Sequence, residues 1–230
     1  MNVPAIAKQT FESLRNQPAF LAISHFIIEH LNKIKSSTER ARFVHNVIDE
    51  YNKEVFAHPI LKELVPCKTG CTACCHTQVS VTDDEAALLI ANIDGGVEID
   101  YKLLEKQAAA GNDPVLFFNI PYKDRKCIFL DSAGGCRVYE DRPSVCRTNA
   151  VVGDASQCDT STNQPASLRL VKTSKADMAI FGAFYNAKES GTLPMMIAKL
   201  LKEKFAGMNT KKIQKPVSRT RNSISKDHEL

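Results

Sequence analysis

Cys67, Cys71, Cys74 and Cys75 place four thiols within nine residues, and Cys127, Cys136, Cys146 and Cys158 supply four more downstream. Clustered thiols serve as disulfides, as nucleophilic or redox groups, or as ligands for soft metals. A disulfide framework needs an oxidising compartment. The first twenty residues show neither a secretory apolar region nor a small-residue cleavage site, since Lys8, Glu12 and Arg15 interrupt their apolar stretches. A cytoplasmic, reducing setting is therefore expected. In that setting the thiols are read as ligands for zinc or iron, the iron including a [4Fe-4S] cluster, because soft sulfur donors select these metals.

Within the first group, Gly70 allows the chain to turn tightly enough for neighbouring sulfurs to converge. Adjacent Cys74 and Cys75 point in different directions on any regular backbone. Two arrangements are open: the pair serves different metals, or one of the two is a buried core thiol. Cys158 stands in a polar loop, as an eighth ligand or a bystander. His76 is a further candidate ligand, although a polar neighbour is the plainer assignment where so many thiols compete. Cys67-x3-Cys71-x2-Cys74 also matches the triad that holds the cluster of radical S-adenosylmethionine enzymes. Ala73 stands where those enzymes carry an aromatic residue, and the 155 residues after Cys75 are too few for an α/β barrel of about 250. That assignment is rejected.

Two blocks carry a family likeness over about Pro66 to Cys158. The first is Cys67-Lys68-Thr69-Gly70-Cys71-Thr72-Ala73-Cys74-Cys75-His76. The second runs from Cys127-Ile128-Phe129-Leu130 through Gly135-Cys136-Arg137-Val138-Tyr139-Glu140-Asp141-Arg142-Pro143-Ser144-Val145-Cys146-Arg147. Together they resemble the CxxCxxCC (YkgJ-like) cysteine-cluster family of zinc- or iron-chelating domains, with x3 in place of x2 in the first spacing. The resemblance implies metal chelation through these cysteines and brings no agreed reaction. Some larger proteins with similar clusters are lysine methylases, so an iron–sulfur enzyme working in redox chemistry or side-chain modification is the alternative to a metal-binding module. No Gly-rich nucleotide loop or nucleophile–base pair supports an enzyme. Arg137, Arg142 and Arg147 are candidates to offset the negative charge of a thiolate-ligated metal, with ion pairing to Glu140 and Asp141 as the ordinary use.

The positioning elements are mainly helical. Apolar residues recur at helical spacing at Phe20, Ile23, Ile27 and Leu31, then at Val44, Val47, Ile48, Tyr51 and Val55, stopping near His58-Pro59. Thr82 and Glu85 form a capping box for a helix with Ala86, Leu89, Ile90 and Ile93 on one face, ended by Gly95-Gly96. A short helix spans about Asp100 to Ala110. Residues 127–130 and 136–139 flank Asp131-Ser132-Ala133-Gly134-Gly135 as a small hairpin, with Tyr139 in its core. Arg142-Pro143 opens a helical turn bearing Cys146, and Gly153 to Ser167 is loop. Two closing helices carry Met178, Phe181, Phe184 and Tyr185, then Ile197, Leu200, Leu201 and Phe205.

The expected plan is a single α-rich domain over 1–206, with irregular loops and a small hairpin around a cysteine-ligated metal centre. N-terminal helices fill 1–65, the metal-binding core 66–158 and the C-terminal helices 168–206. Residues 207–230 hold six basic and two acidic side chains, which accounts for the net charge of +4; a flexible basic tail is expected there. The rest of the chain is electrically balanced and has no Trp, so nucleic acid is not an expected partner. No transmembrane run is present. A metal ion is the expected partner, and a protein partner is left open.

Overall fold

The structure, a computed structural model, describes residues 3–68, 70–161 and 168–213, with side chains as far as Ala206. Ten α-helices and a two-stranded sheet are found among the described residues, so the protein is mainly α. The helices are α1 (Ala5–Leu14), α2 (Ala19–Lys33), α3 (Ser37–Phe56), α4 (Pro59–Leu64), α5 (Asp83–Asp94), α6 (Tyr101–Ala108), α7 (Pro114–Phe118), α8 (Ser144–Thr148), α9 (Ser174–Asn186) and α10 (Leu193–Ile213). Strands β1 (Ser80–Thr82) and β2 (Ser190–Thr192) pair antiparallel, Ser80 opposite Thr192 and Thr82 opposite Ser190. No described helix is long and apolar enough to cross a membrane.

Local signals set most helix ends. The Ser36 hydroxyl accepts from the Glu39 amide at the start of α3, and α4 begins on Pro59, whose missing N–H costs nothing in a first turn. The Thr82–Glu85 capping box is present in full at α5. Asp100 and Asp113 cap α6 and α7 through their side chains. Helix α10 continues to Ile213, so the first seven residues of the expected tail are helical; residues 214–230 lie outside the described residues.

Two apolar clusters result. In the first, α9 is buried along most of its length through Ala176, Met178, Ile180, Phe181 and Phe184, and α1, α2 and α3 wrap it. Phe181 meets Phe11 and Phe20 with ring centroids 5.6 and 5.0 Å apart, close enough for aromatic pairing to add to the area buried. The second cluster joins Val81 and Leu89 to Leu103 and Leu104 of α6 and to Met196, Ile197 and Leu201 of α10. Ile128, Phe129 and Val138 enter it from the cysteine-bearing segment, so that segment is part of the core and not appended to it. Tyr185 and Phe205 stand half in solvent at the outer edges of their helices.

The expected hairpin over 127–139 is reduced to one bridge, Leu130 opposite Cys136. Its tip is held by the Asp131 carboxylate, which accepts from the amides of Ala133 and Gly135 at 2.8 and 2.7 Å. Beyond the bridge the chain turns at 127–130, the Leu130 amide donating back to the Cys127 carbonyl at 2.9 Å, while the Cys127 amide donates to the Cys75 carbonyl at 2.7 Å. Tyr139 is not core: it is exposed, with the Arg142 guanidinium 4.0 Å from its ring centroid.

Asp177, near the start of α9, carries a carboxyl that burial pushes up to about 6 from 3.8, against hydrogen bonds with Thr173 and Thr148. A folded pKa above the unfolded one means that the folded state binds the proton more tightly. The stability it contributes is complete below about pH 4 and is lost as pH rises through about 6. Asp177→Asn is therefore expected to raise unfolding free energy at pH 7.5 by about 1–3 kcal/mol, with the gain vanishing near pH 4. Denaturant unfolding at the two pH values checks this, and an effect independent of pH contradicts it.

Candidate metal centre

The thiols are carried by five short segments. Cys67 and Cys71 follow α4 on an irregular stretch in which Gly70 adopts φ +86°, a left-handed conformation that a side chain would resist. Cys74 and Cys75 sit on a 3₁₀ turn, Ala73–His76. Cys127 and Cys136 flank the collapsed hairpin, Cys146 lies on α8, and Cys158 ends a second 3₁₀ turn, Ala155–Cys158. All eight cysteines are free thiols; Cys67 is exposed and the rest are half-buried.

The 73–76 turn is the hub. The Cys127–Cys75 backbone bond ties it to the hairpin, the Asn149 side chain meets the Cys74 thiol beyond the end of α8, and the 155–158 turn packs against it. The hairpin tip also rests on the first cysteine segment. A Cβ on Gly134 (φ +83°) would stand 3.1 Å from Thr72 Cγ2 and 3.8 Å from the Gly70 carbonyl oxygen, so this approach requires glycine at 134.

Electrostatics follow the packing. Hydrogen bonding from Cys75 is the largest of the influences that lower the Cys74 thiol, and the same bond, with burial, raises Cys75. The two adjacent thiols therefore meet, where a regular helix or strand would have parted them, because the turn is neither. Burial pushes Cys127 up to about 11 and raises Cys146 well above the usual thiol range, each further raised by neighbouring thiols. Cys136 is raised by burial, with Arg142 acting in the opposite direction. Among the described residues, no three His, Cys, Asp or Glu side chains converge closely enough to hold a metal ion as they stand. The donor set, all soft sulfur gathered around one turn, fits zinc or iron in chemical type.

Of the three arginines, Arg142 acts on the Cys136 thiol. Arg137 donates to the Glu98 carbonyl. Arg147 is buried and turned towards α3: it pairs with Asp49, donates through Nε to the Arg142 carbonyl at 3.0 Å, bonds the Glu140 carbonyl, and meets His45 Nδ1 at 3.2 Å. A guanidinium can only donate. His45 therefore carries its proton on Nε2 and gives it to Glu85 Oε1, 3.2 Å away. Glu85 also accepts from the Ser144 amide at 2.6 Å, opening α8, and from the Thr82 amide at 3.0 Å. Burial opposes ionisation of Glu85, but these bonds outweigh it and hold the carboxyl below its usual range. His45 and Asn52, whose amide donates to the Arg147 carbonyl at 2.9 Å, were not picked out as site residues by sequence. The available signal was a histidine on the same face of α3 as the core residues Val44 and Ile48.

His76 stacks on Tyr122 with centroids 4.3 Å apart and directs Nδ1 to the Thr72 carbonyl at 3.1 Å. Its ring is engaged as a polar and aromatic neighbour of the cysteines.

A mainly helical scaffold that gathers reduced cysteines from separate segments defines a cysteine-cluster protein. The sequence model of the CxxCxxCC family, described as a "putative zinc- or iron-chelating domain", matches residues 66–179. Over these residues the chain is similar to that family. No curated protein and no solved structure matches it. The match begins just before Cys67 and ends within α9, so it takes in every cysteine and leaves out α1 to α4, β2 and α10.

Replacing Glu85 with Ala would strand the buried donors of His45, Ser144 and Thr82 together, each costing about 1–3 kcal/mol. Unfolding free energy is expected to fall by about 3–5 kcal/mol. A urea titration showing a loss below about 1 kcal/mol would mean that the donors find other partners.

Proposed function

We propose that the protein binds zinc or iron through cysteine thiolates drawn from both cysteine groups, and that its role is to hold the metal, not to transform an organic substrate. The observation that carries this reading is the convergence of Cys127, Cys136, Cys146 and Cys158 segments on the 73–76 turn. Burial beside other thiols raises the cost of ionising Cys127 and Cys146. A bound cation reverses that cost, because the metal takes the thiolate form and its charge offsets the repulsion between sulfurs. The metal would also link the 73–76 turn to α8 and the hairpin, adding its binding free energy to folding.

Cys74, Cys75, Cys127, Cys136 and Cys146 are the residues assigned to hold the metal most deeply. Arg142, beside Cys136, would offset part of the negative charge of a thiolate-rich centre. A reducing compartment such as the cytoplasm suits this role, since it keeps the thiols available.

Metal analysis of protein purified without oxygen tests the proposal. Wild type is expected to retain at least one equivalent of zinc or iron, and Cys74→Ser and Cys146→Ser are each expected to lose most of it. Full occupancy in both variants would overturn the assignment, as would metal-free wild type.

A further inference from the structure

Six of the eight thiols divide into two sets of three, with Cys74 and Cys75 on the turn between them. Cys127, Cys136 and Cys146 lie near one another and near Cys74; Cys127 and Cys136 belong to a segment built into the core through Ile128, Phe129 and Val138, and Cys146 to α8, whose Val145 packs against the first cluster. Cys158 lies instead near Cys67, Cys71 and Cys74. Backbone geometry places this second set independently. The Gly153 amide donates at 3.0 Å to the carbonyl of Leu64, at the end of α4, which brings the loop leading to Cys158 beside the residues leading to Cys67. The 155–158 turn then packs against the 73–76 turn, and Cys71 is held in its own turn by its amide bond to the Lys68 carbonyl at 2.9 Å. Cys74 stands between the sets.

On this basis, and resting on the metal-binding reading above, we propose that Cys67, Cys71 and Cys158 form a second, outer site for a single thiophilic ion such as zinc, separate from the inner set around Cys127, Cys136 and Cys146. The outer thiols lie on irregular chain and a 3₁₀ turn, and Cys67 is exposed. Such segments can draw together around an ion without disturbing the core, whereas the inner set is held by buried structure. Three thiolates leave a fourth position open to water or to an incoming ligand, the arrangement associated with exchangeable zinc. The outer site is therefore where metal enters and leaves, and the inner site keeps it. Cys158 becomes a ligand of the exchanging ion and not a bystander.

Zinc titration of the full-length, reduced protein, followed by native mass spectrometry and competition with a chromophoric chelator, separates the possibilities. Wild type is expected to take two zinc ions, one passing to the chelator at least tenfold faster than the other. Cys67→Ser and Cys158→Ser should each bind a single ion, the slowly released one, with unchanged helical circular dichroism. The retained inner ion in these variants shows that they are folded. Two ions in both variants, or a single ion in wild type, would overturn the outer site while leaving metal binding intact. Loss of both ions in Cys158→Ser would overturn the separation of the sites. Zero ions in wild type would defeat the metal-binding reading itself.

Discussion

The buried carboxylate of Glu85 is the point on which the arrangement depends. It closes the capping box of α5, receives the first amide of α8 and accepts the proton of His45 from α3. Arg147, one residue after Cys146, continues the lattice to Asp49 and to the carbonyls of residues 140 and 142. Two flanking pairs strengthen the same seam: Arg40 grips Asp84 through Nε at 2.8 Å and through Nη2, and Asp141 takes bonds from Arg42 and Asn92. A charged network of this kind stabilises only when every member is satisfied, and it specifies one arrangement strongly because each partial alternative leaves a buried charge unpaired. Its output is the fixed position of a five-residue helix that could not hold itself.

A polar seam rigid on one side and loose cysteine segments on the other give the candidate centre its character. Cys146 is fixed by α8, and Cys127 and Cys136 by the apolar cluster beneath the hairpin. Cys67, Cys71 and Cys158 sit on irregular chain and 3₁₀ turns, where sulfur positions can adjust at small cost. A centre with both kinds of support combines retention with access. The electrostatic need is greatest at Cys127 and Cys146, where burial favours the neutral thiol until a cation joins it.

Much of this was legible in the sequence because it was encoded locally. The helix periodicity from Phe20 to Leu31 buries the residues it marks, that from Val44 to Val55 buries Val44 and Ile48 and leaves Val47, Tyr51 and Val55 partly buried, and the Thr82–Glu85 box sits where its spacing placed it. Gly70 adopts the conformation its role required. What escaped was long-range. Strands β1 and β2 are three residues each, too short to show an alternation, and they meet from distant parts of the chain. The hairpin is one bridge long, its first arm turning at 127–130 and its Cys127 amide bonding the cysteine turn, a partner that no local pattern shows. Arg147, a candidate either to offset charge at the metal or to pair with Glu140 and Asp141, turns its guanidinium to Asp49 and His45 of α3 and to the carbonyls of residues 140 and 142, acceptors from four chain positions that no local pattern brings together. Cysteine spacing announced a metal-binding class, whereas the division of the thiols between core and surface became visible only from their packing.

The most direct test of the central claim is X-ray absorption at the edge of the native metal, on full-length protein purified without oxygen. The account predicts a first shell dominated by sulfur, at about 2.3 Å if the metal is zinc. A first shell dominated by nitrogen or oxygen, or protein with no bound metal to measure, would contradict it.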